Sequence, residues 1–432
     1  VKQKRVMLSR TCPDHGEMTN CISSDSRFYW LSKGNPANGE ACCAEDGEPC
    51  GVLGSNAFAD RDPTFQSLST CLALIEIVDS CNLSCPTCYA DSQPGTGAAL
   101  NYVPMEELQR RIQGAIDRKG GIEILQFSGG EPTLHPHFFE LLEWTMRHPD
   151  IDYALINTNG LRLAAEPEFA QRLKACFDYG KTQIYLQFDG VQEAGQQSLR
   201  GLDLRKTREK ALQNAQEIGL PVTLAMTVIP ENREHLWEAV EFGLRFEHVR
   251  GITFQPMFYS GRSHASEADL ERLMAEHLNT ADIIIGLVEQ SGGKLCYDDF
   301  TPLPCGDPNC ATIGYLLKVM GQVRSISDFV NFKDVQGFLR DRLRYDINDL
   351  KQCGCDSEPL GELLHRFEID EKQTFRLFVK PFMDAFTWDD DRLDRCCTHV
   401  IRPDGKLDSF CRYYADPVSS TVSTHEPAST AS

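Results

Sequence analysis

"LALIEIVDSCNLSCPTCYADSQPG", residues 72–95, runs from an apolar stretch into three cysteines, Cys81, Cys85 and Cys88, at spacings of four and three. The apolar stretch is short and continuous, which reads as a buried strand. The polar residues behind it, closed by Pro94 and Gly95, read as a loop at the strand's end. The same unit repeats outward from there. Residues 104–120 read as a helix with Pro104 near its first turn. Strands are expected over 122–128, 152–158, 183–189, 221–229 and 251–257, with helices near 136–148, 166–178, 204–218 and 232–247. Strands alternating with helices at this spacing define βα units on a parallel sheet. The expected fold class is therefore α/β: a partial (β/α)6 barrel over 71–291, with a cysteine-rich metal-binding segment over 1–70 and a second cysteine-bearing region over 292–415. Residues 265–291 read as helical, 292–360 as a mixture of helix and loop, and 373–414 as strand-rich. "RPDGKL" offers a hairpin turn at Asp404–Gly405. The stretch 416–432 is low in complexity and reads as disordered.

The chain has 432 residues, 41% of them hydrophobic, and a net charge of −20. It can bury a sizeable core. The acidic balance disfavours nucleic acid as a partner and speaks against an anionic membrane surface. No apolar run is long enough to span a bilayer, and no signal peptide is evident. Eighteen cysteines in a large chain of this kind point to a cytoplasmic protein with metal-binding or catalytic thiols rather than to a disulfide framework.

Parallel sheets gather their sites at the carboxyl ends of the strands. The candidate residues fall there: Cys81, Cys85 and Cys88 after the first strand, Gly129, Gly130 and Glu131 after the second, Asn157 and Asn159 after the third, Asp189 after the fourth. A closed zinc site takes four protein ligands, so three thiols would need a distant fourth. Three thiolates on a four-iron cluster instead leave one iron open to a small molecule.

C-x3-C-x2-C after a first strand, with "SGGEP" after the second, resembles the radical S-adenosylmethionine superfamily. The resemblance implies a [4Fe-4S] cluster on Cys81, Cys85 and Cys88. Its open iron would chelate S-adenosylmethionine, and reductive cleavage would yield a 5′-deoxyadenosyl radical. Ser128–Glu131 then matches the element that meets the methionine amine, with Glu131 accepting from the ammonium. Asn157 and Asn159 sit where the family contacts ribose or carboxylate. Arg200 resembles the arginine that holds the carboxylate, and the backbone near Met226–Val228 is where adenine is paired. For Arg200 a surface salt bridge is the plain alternative, and Asp189 suits a helix cap as well as a substrate contact. Thr87 stands where the family usually has an aromatic residue, with Tyr89 two places on.

Further cysteines lie at Cys305 and Cys310, Cys353 and Cys355, and Cys396, Cys397 and Cys411. Their irregular spacing suits auxiliary iron–sulfur ligation better than a zinc ribbon. Cys12, with His15, Cys21, Cys42, Cys43 and Cys50, looks like part of a zinc or rubredoxin-like knuckle holding Zn or Fe. Cys71 and Cys176 read as buried reduced thiols, and His135, His137 and His399 as structural. The layout resembles the branch of tetraether lipid synthases and of enzymes that methylate 7,8-dihydro-6-hydroxymethylpterin. That implies an enzyme that abstracts hydrogen from an unactivated C–H and forms a C–C bond on a lipid-like substrate, or methylates a pterin. Its reductant would be a ferredoxin or flavodoxin, and a lipid substrate would place it peripherally at a membrane. Peptide maturation is the alternative enzyme class, and an iron–sulfur electron-transfer protein the alternative outside enzymes.

Overall fold

The structure is a computed structural model that describes residues 4–13, 16–29, 70–177, 180–263, 270–303, 306–319, 321–329 and 373–415. Six parallel strands form its centre: β3 (Leu72–Val78), β6 (Ile122–Gly129), β7 (Ile151–Thr158), β8 (Thr182–Gln187), β9 (Val222–Val228) and β10 (Val249–Pro256). Two short pairs flank them in the chain. A hairpin, β1 (Val6–Cys12) and β2 (Gly16–Ser23), precedes β3, and β4 (Ser80–Cys81) pairs with β5 (Gln93–Pro94) inside the cysteine loop.

Alternation along the strands separates two faces. Ile75, Ile77, Leu125, Phe127, Ile156 and Ile184 point outward into the main core. There they meet Leu108, Ile112, Ala115 and Ile116 of helix α1 (Met105–Lys119). Pro104 caps that helix and Gly120, at φ +79°, ends it in the left-handed region that suits glycine. Further around lie α2 (Phe138–Arg147), α3 (Leu161–Ala165), α4 (Pro167–Phe177), α5 (Glu193–Arg200), α6 (Arg205–Glu217), α7 (Leu236–Leu244), α8 (Leu270–Glu276) and α9 (Thr280–Gln290). The opposite face carries Gln126, Asn157, Gln183, Tyr185, Thr253 and Gln255, which line a cavity inside the curved sheet. A polar inward face cannot pack as a dry core, so the space stays open.

The C-terminal region is not a separate layer. Beyond β11 (Thr301–Pro302), strands β12 (Thr312–Val319) and β13 (Gln322–Ser325) form a hairpin, where the sequence read as helix and loop. The apolar run "IGYLLKV" is too short for periodicity alone to tell helix from strand. Strand β14 (Thr374–Val379) joins β12 to β10, lying parallel to β10. Strand β15 (Thr398–Ile401) adds to the other edge, parallel to β3, and carries β16 (Leu407–Ser409) antiparallel. All of these belong to one 12-stranded sheet. The sheet thus crosses the expected boundary at 291/292. Helices α10 (Asp390–Asp394) and α11 (Phe410–Ala415) complete the region. No helix among the described residues is long and apolar enough to cross a membrane.

The N-terminal hairpin docks on the same body. Asn20 Nδ2 donates to the Phe386 carbonyl at 2.6 Å, and Ser24 Oγ to Asp282 at 2.6 Å. Cys12 pairs with Gly16 at the turn, whereas Cys21 pairs with Met7 far down the ladder. The two thiols are about 17 Å apart at strand rise, so one ion cannot take both, and the expected knuckle does not form from this pair. His15, Cys42, Cys43, Cys50, Cys305, Cys353 and Cys355 lie outside the described residues. Cys176 is a buried free thiol, but Cys71 is disulfide-bonded rather than free. It opens β3 where the C-terminal cysteines come alongside, its N–H donating to the Cys397 carbonyl.

Candidate active site

The loop after β3 folds its three thiols into one apolar pocket. Cys81, Cys85 and Cys88 pack with Leu83, Leu161 and Leu204. Burial, then the Glu131 carboxylate and the neighbouring thiols Cys85 and Cys88, push the Cys81 thiol up to about 12. A thiol raised in this way becomes a thiolate only beside a strong positive charge, which a metal centre provides. Among the described residues no three His, Cys, Asp or Glu side chains converge on the spacing of a single ion. Three thiols at one rim are the donor set that a four-iron cluster takes through different irons, with one iron left open.

The glycine pair packs against that loop. Gly129 has φ +112°, and a Cβ there would lie 2.1 Å from the Val78 carbonyl oxygen. A Cβ on Gly130 would lie 2.0 Å from the Ser80 carbonyl oxygen. The close approach is thus first to the backbone that carries Cys81. Glu131 is 1% exposed. Its Oε1 accepts from Thr133 N (3.2 Å), Thr133 Oγ1 (2.6 Å) and Thr158 Oγ1 (2.7 Å), and its Oε2 from Asn159 N (2.8 Å). The carboxylate therefore braces two strand ends, those of β6 and β7, and an ammonium would have only the spare capacity of Oε2.

Asn159 Nδ2 donates to Asn82 Oδ1 at 2.7 Å, tying the third strand end to the cysteine loop. Asn157 faces the cavity between Ser128 and Gln187. Asp189 is fully buried at φ +60° and holds Arg200 through two bonds of 2.6 and 2.9 Å. Burial works to raise its pKa, but the Arg200 and Arg208 guanidiniums outweigh it and hold the carboxyl below its ordinary value. Arg200 is no surface bridge: it also donates to Gln187 Oε1 at 2.7 Å and approaches Cys85 Sγ at 3.9 Å. Near Met226–Val228 the Thr227 N–H donates to Asp189 and its carbonyl accepts from Asn232. Both groups of that residue are engaged within the chain. Tyr89 packs edge-on against Tyr414, ring centroids 4.8 Å apart.

Two residues that sequence reasoning missed grip the loop from the far side. Arg262 donates from Nη1 to the Cys85 carbonyl (2.8 Å) and from its N–H to the Cys88 carbonyl (2.9 Å). A Cβ on Gly261 would lie 2.5 Å from that Cys88 oxygen. Arg208, buried behind Asp189 at 3.5 Å, was also missed. Its place in an amphipathic helix gave no signal.

The cavity beneath the rim has a volume of about 380 Å³ and is bounded at the top by Thr87, Tyr89 and Arg200. Lys380 lies on its wall. Behind Lys380, the buried thiols Cys396, Cys397 and Cys411 gather with Cys310. Burial pushes Cys397 and Cys411 up to about 12, with Cys396 and Cys310 adding to the shift in each case. Arg392 Nη2 lies 3.5 Å from Cys310 Sγ, and the Met383 N–H 3.2 Å from Cys411 Sγ.

A barrel of parallel strands with three clustered thiols on its carboxyl rim defines a class. Residues 75–243 match the family model of the Radical SAM superfamily, so that part of the chain is similar to radical S-adenosylmethionine enzymes. The superfamily's cofactors are a four-iron cluster and S-adenosylmethionine. Among its relatives, the 7,8-dihydro-6-hydroxymethylpterin dimethyltransferase of Methanocaldococcus jannaschii is 25% identical over 476 residues, covering 95% of this chain and 88% of that one. A GTP 3',8-cyclase of Syntrophomonas wolfei is 30% identical over 187 residues, 42% of this chain and 55% of its own length. Among solved structures, Streptococcus suis SuiB bound to precursor peptide SuiA aligns with a TM-score of 0.40 at 13% identity, over 83% of this chain and 67% of that one.

Proposed function

We propose that this enzyme binds its cluster on Cys81, Cys85 and Cys88 and acts on a small polar heterocycle, a pterin being the leading candidate, by methylation or C–C bond formation. The cluster, when bound, supplies the electron that splits the sulfonium of S-adenosylmethionine into methionine and a 5′-deoxyadenosyl radical. The chain's own residues position and enclose. Arg262 and Gly261 fix the thiol loop from one side, and Gly129–Glu131 fix it from the other. Arg200, oriented by Asp189, offers its guanidinium beside Cys85 for a carboxylate. Tyr89 and the aromatic side chains of α11 keep water from the rim.

The observation that carries the substrate reading is the cavity's inward face. Gln126, Asn157, Gln183 and Gln255 line it with amide groups; Asn157 is held by Ser128 and Gln187, Gln183 by Tyr153 and Thr223, and Gln255 by Tyr185, and their remaining capacity suits the donor and acceptor edges of a pterin. An alkyl chain in their place would leave the remaining donor and acceptor capacity of those amides unused. This favours the pterin over the lipid-like substrate. The end-to-end match with the pterin-methylating relative supports the same choice. Cys310, Cys396, Cys397 and Cys411 offer four thiols for an auxiliary iron–sulfur cluster, to which Cys305 is a further candidate.

Anaerobic incubation with dithionite, S-adenosylmethionine and 7,8-dihydro-6-hydroxymethylpterin tests the reading. The expected products are 5′-deoxyadenosine and a pterin heavier by whole methyl groups. The Cys81→Ala, Cys85→Ala, Cys88→Ala triple variant should give neither, yet retain iron and sulfide at the C-terminal thiols. 5′-Deoxyadenosine formation by that variant would refute the cluster assignment.

A further inference from the structure

The cavity's charge does not follow that of the chain. Net charge is −20, yet the described lining residues include Arg200, Arg250, Arg376 and Lys380 and neither Asp nor Glu. Arg200 is matched by Asp189 from behind, and Lys380 faces the C-terminal thiols. Arg250 has no such match. Its Nε and Nη1 are buried and donate to no acceptor among the described residues.

Arg250 is placed there by a device in the sheet. Val249 pairs with Val222, but Gly251 pairs with Thr223, so Arg250 is the extra residue of a bulge in β10. Bulges re-aim side chains and recur beside binding sites. The bulge is held by Gly251, where a Cβ would lie 2.3 Å from the Arg376 carbonyl oxygen on β14. Of the neighbours of Arg250, Lys318 adds positive charge, whereas His248 is neutral near pH 7. Burial, then Arg250 and Lys318, push His248 down to about 4. Among the groups acting on Lys318, Glu247 is the carboxylate that offsets Arg250, and it does not line the cavity. Buried guanidinium N–H groups left without an acceptor are costly, and a planar donor fork suits a carboxylate or phosphoryl group.

Arg250 lies at the amino-terminal end of β10, and Met257, just past its carboxyl end, lines the same cavity. Strand rise puts about 20 Å between them. We propose that the substrate carries an oxyanion, a carboxylate or a phosphoryl group, which seats on Arg250 at the barrel floor while its reacting carbon reaches the cysteine rim. The proposal rests on the reading above that this cavity is the substrate site.

Calorimetric titration of the reconstituted protein, kept anaerobic, tests it with three probes: 6-hydroxymethylpterin, its phosphate ester and pterin-6-carboxylate. At least one anionic probe should bind tenfold or more tightly than the neutral one. The stronger of the two anions identifies the group as phosphoryl or carboxylate. Arg250→Gln should abolish the preference and Arg250→Lys should keep part of it, each with a thermal midpoint checked against wild type. Equal binding of neutral and anionic probes, or an undiminished preference in Arg250→Gln, overturns the proposal. If Arg250→Gln does not fold, phenylglyoxal labelling of wild-type Arg250, read by peptide mass spectrometry, replaces it. The preferred anion should slow labelling at least fivefold, and unslowed labelling is the contrary result. Failure of the radical reading would show separately, as absence of 5′-deoxyadenosine from wild-type protein whatever the probe.

Discussion

The four donors on Glu131 and the two guanidiniums on Asp189 give these carboxylates separable roles. Glu131→Gln turns one acceptor oxygen into an N–H2 that faces donors. The expected loss is about 1–3 kcal/mol of stability, the cost of leaving a buried group unpaired, seen as a lower urea midpoint of the cluster-free protein. Asp189→Asn leaves Arg200 and Arg208 buried without their counter-ion, which should cost about 3–5 kcal/mol at neutral pH. The pH dependence has a definite sign. Asp189 is held below its ordinary value in the folded chain. Its contribution is complete above the unfolded carboxyl value and fades as pH falls through the folded one. The gap in unfolding free energy between wild type and Asp189→Asn should therefore narrow on acidification below about pH 4. A gap that stays constant to pH 2 would remove the charge from the explanation.

At the scale of elements, the thiol loop is clamped between the turn after β6 and the turn after β10. Gly130→Ala would drive a methyl into the Ser80 carbonyl, a contact that only backbone movement can relieve. Arg262→Ala removes the side-chain bonds to the Cys85 and Ser92 carbonyls of the cysteine loop. Both variants should bind less iron on reconstitution than wild type under identical conditions, with the C-terminal thiols intact. Wild-type iron content in both would show that the loop holds its shape alone. The first of these turns is legible in sequence because Ser128-Gly129-Gly130-Glu131 is a compact motif at a strand end. The second is not. Gly261 and Arg262 stand in an ordinary loop, and only the closing of the sheet brings them against Cys85 and Cys88. The six central strands were legible for the same reason as the motif: each carries its own apolar run and its own punctuation. Helix α5 escaped notice because "EAGQQSLR" holds little apolar periodicity. β12 escaped because a short apolar run has no period to read. The bulge at Arg250 exists only in the register between β9 and β10, which no single segment encodes.

For the whole molecule, the decisive arrangement is that the C-terminal region supplies a parallel strand to each edge of the central sheet. β14 covers β10 and β15 covers β3. Helix α11 then anchors β3 from the cavity side, with Tyr413 and Tyr414 donating to Glu76 at 3.1 and 2.7 Å. Two exposed parallel edges are templates for association with other chains. A fragment of residues 70–291 should accordingly elute from size exclusion as large aggregates. A monomeric fragment with native-like circular dichroism would show that the six strands suffice.

Pairing of Leu72 with Thr398 also orders events during synthesis. β3 and its thiol loop leave the ribosome early, whereas β15 is made on the order of tens of seconds later at ordinary elongation rates. Through that interval Cys81, Cys85 and Cys88 hang from a strand with one neighbour missing, open to oxygen and to stray metal ions. Iron loaded before release would meet an unfinished pocket, and a thiol oxidised then would be sealed in by the last strands to arrive. Cell extracts starved of iron during translation and supplied with it afterwards should thus yield as much active protein as those supplied throughout, while a pulse of peroxide confined to translation should do lasting harm.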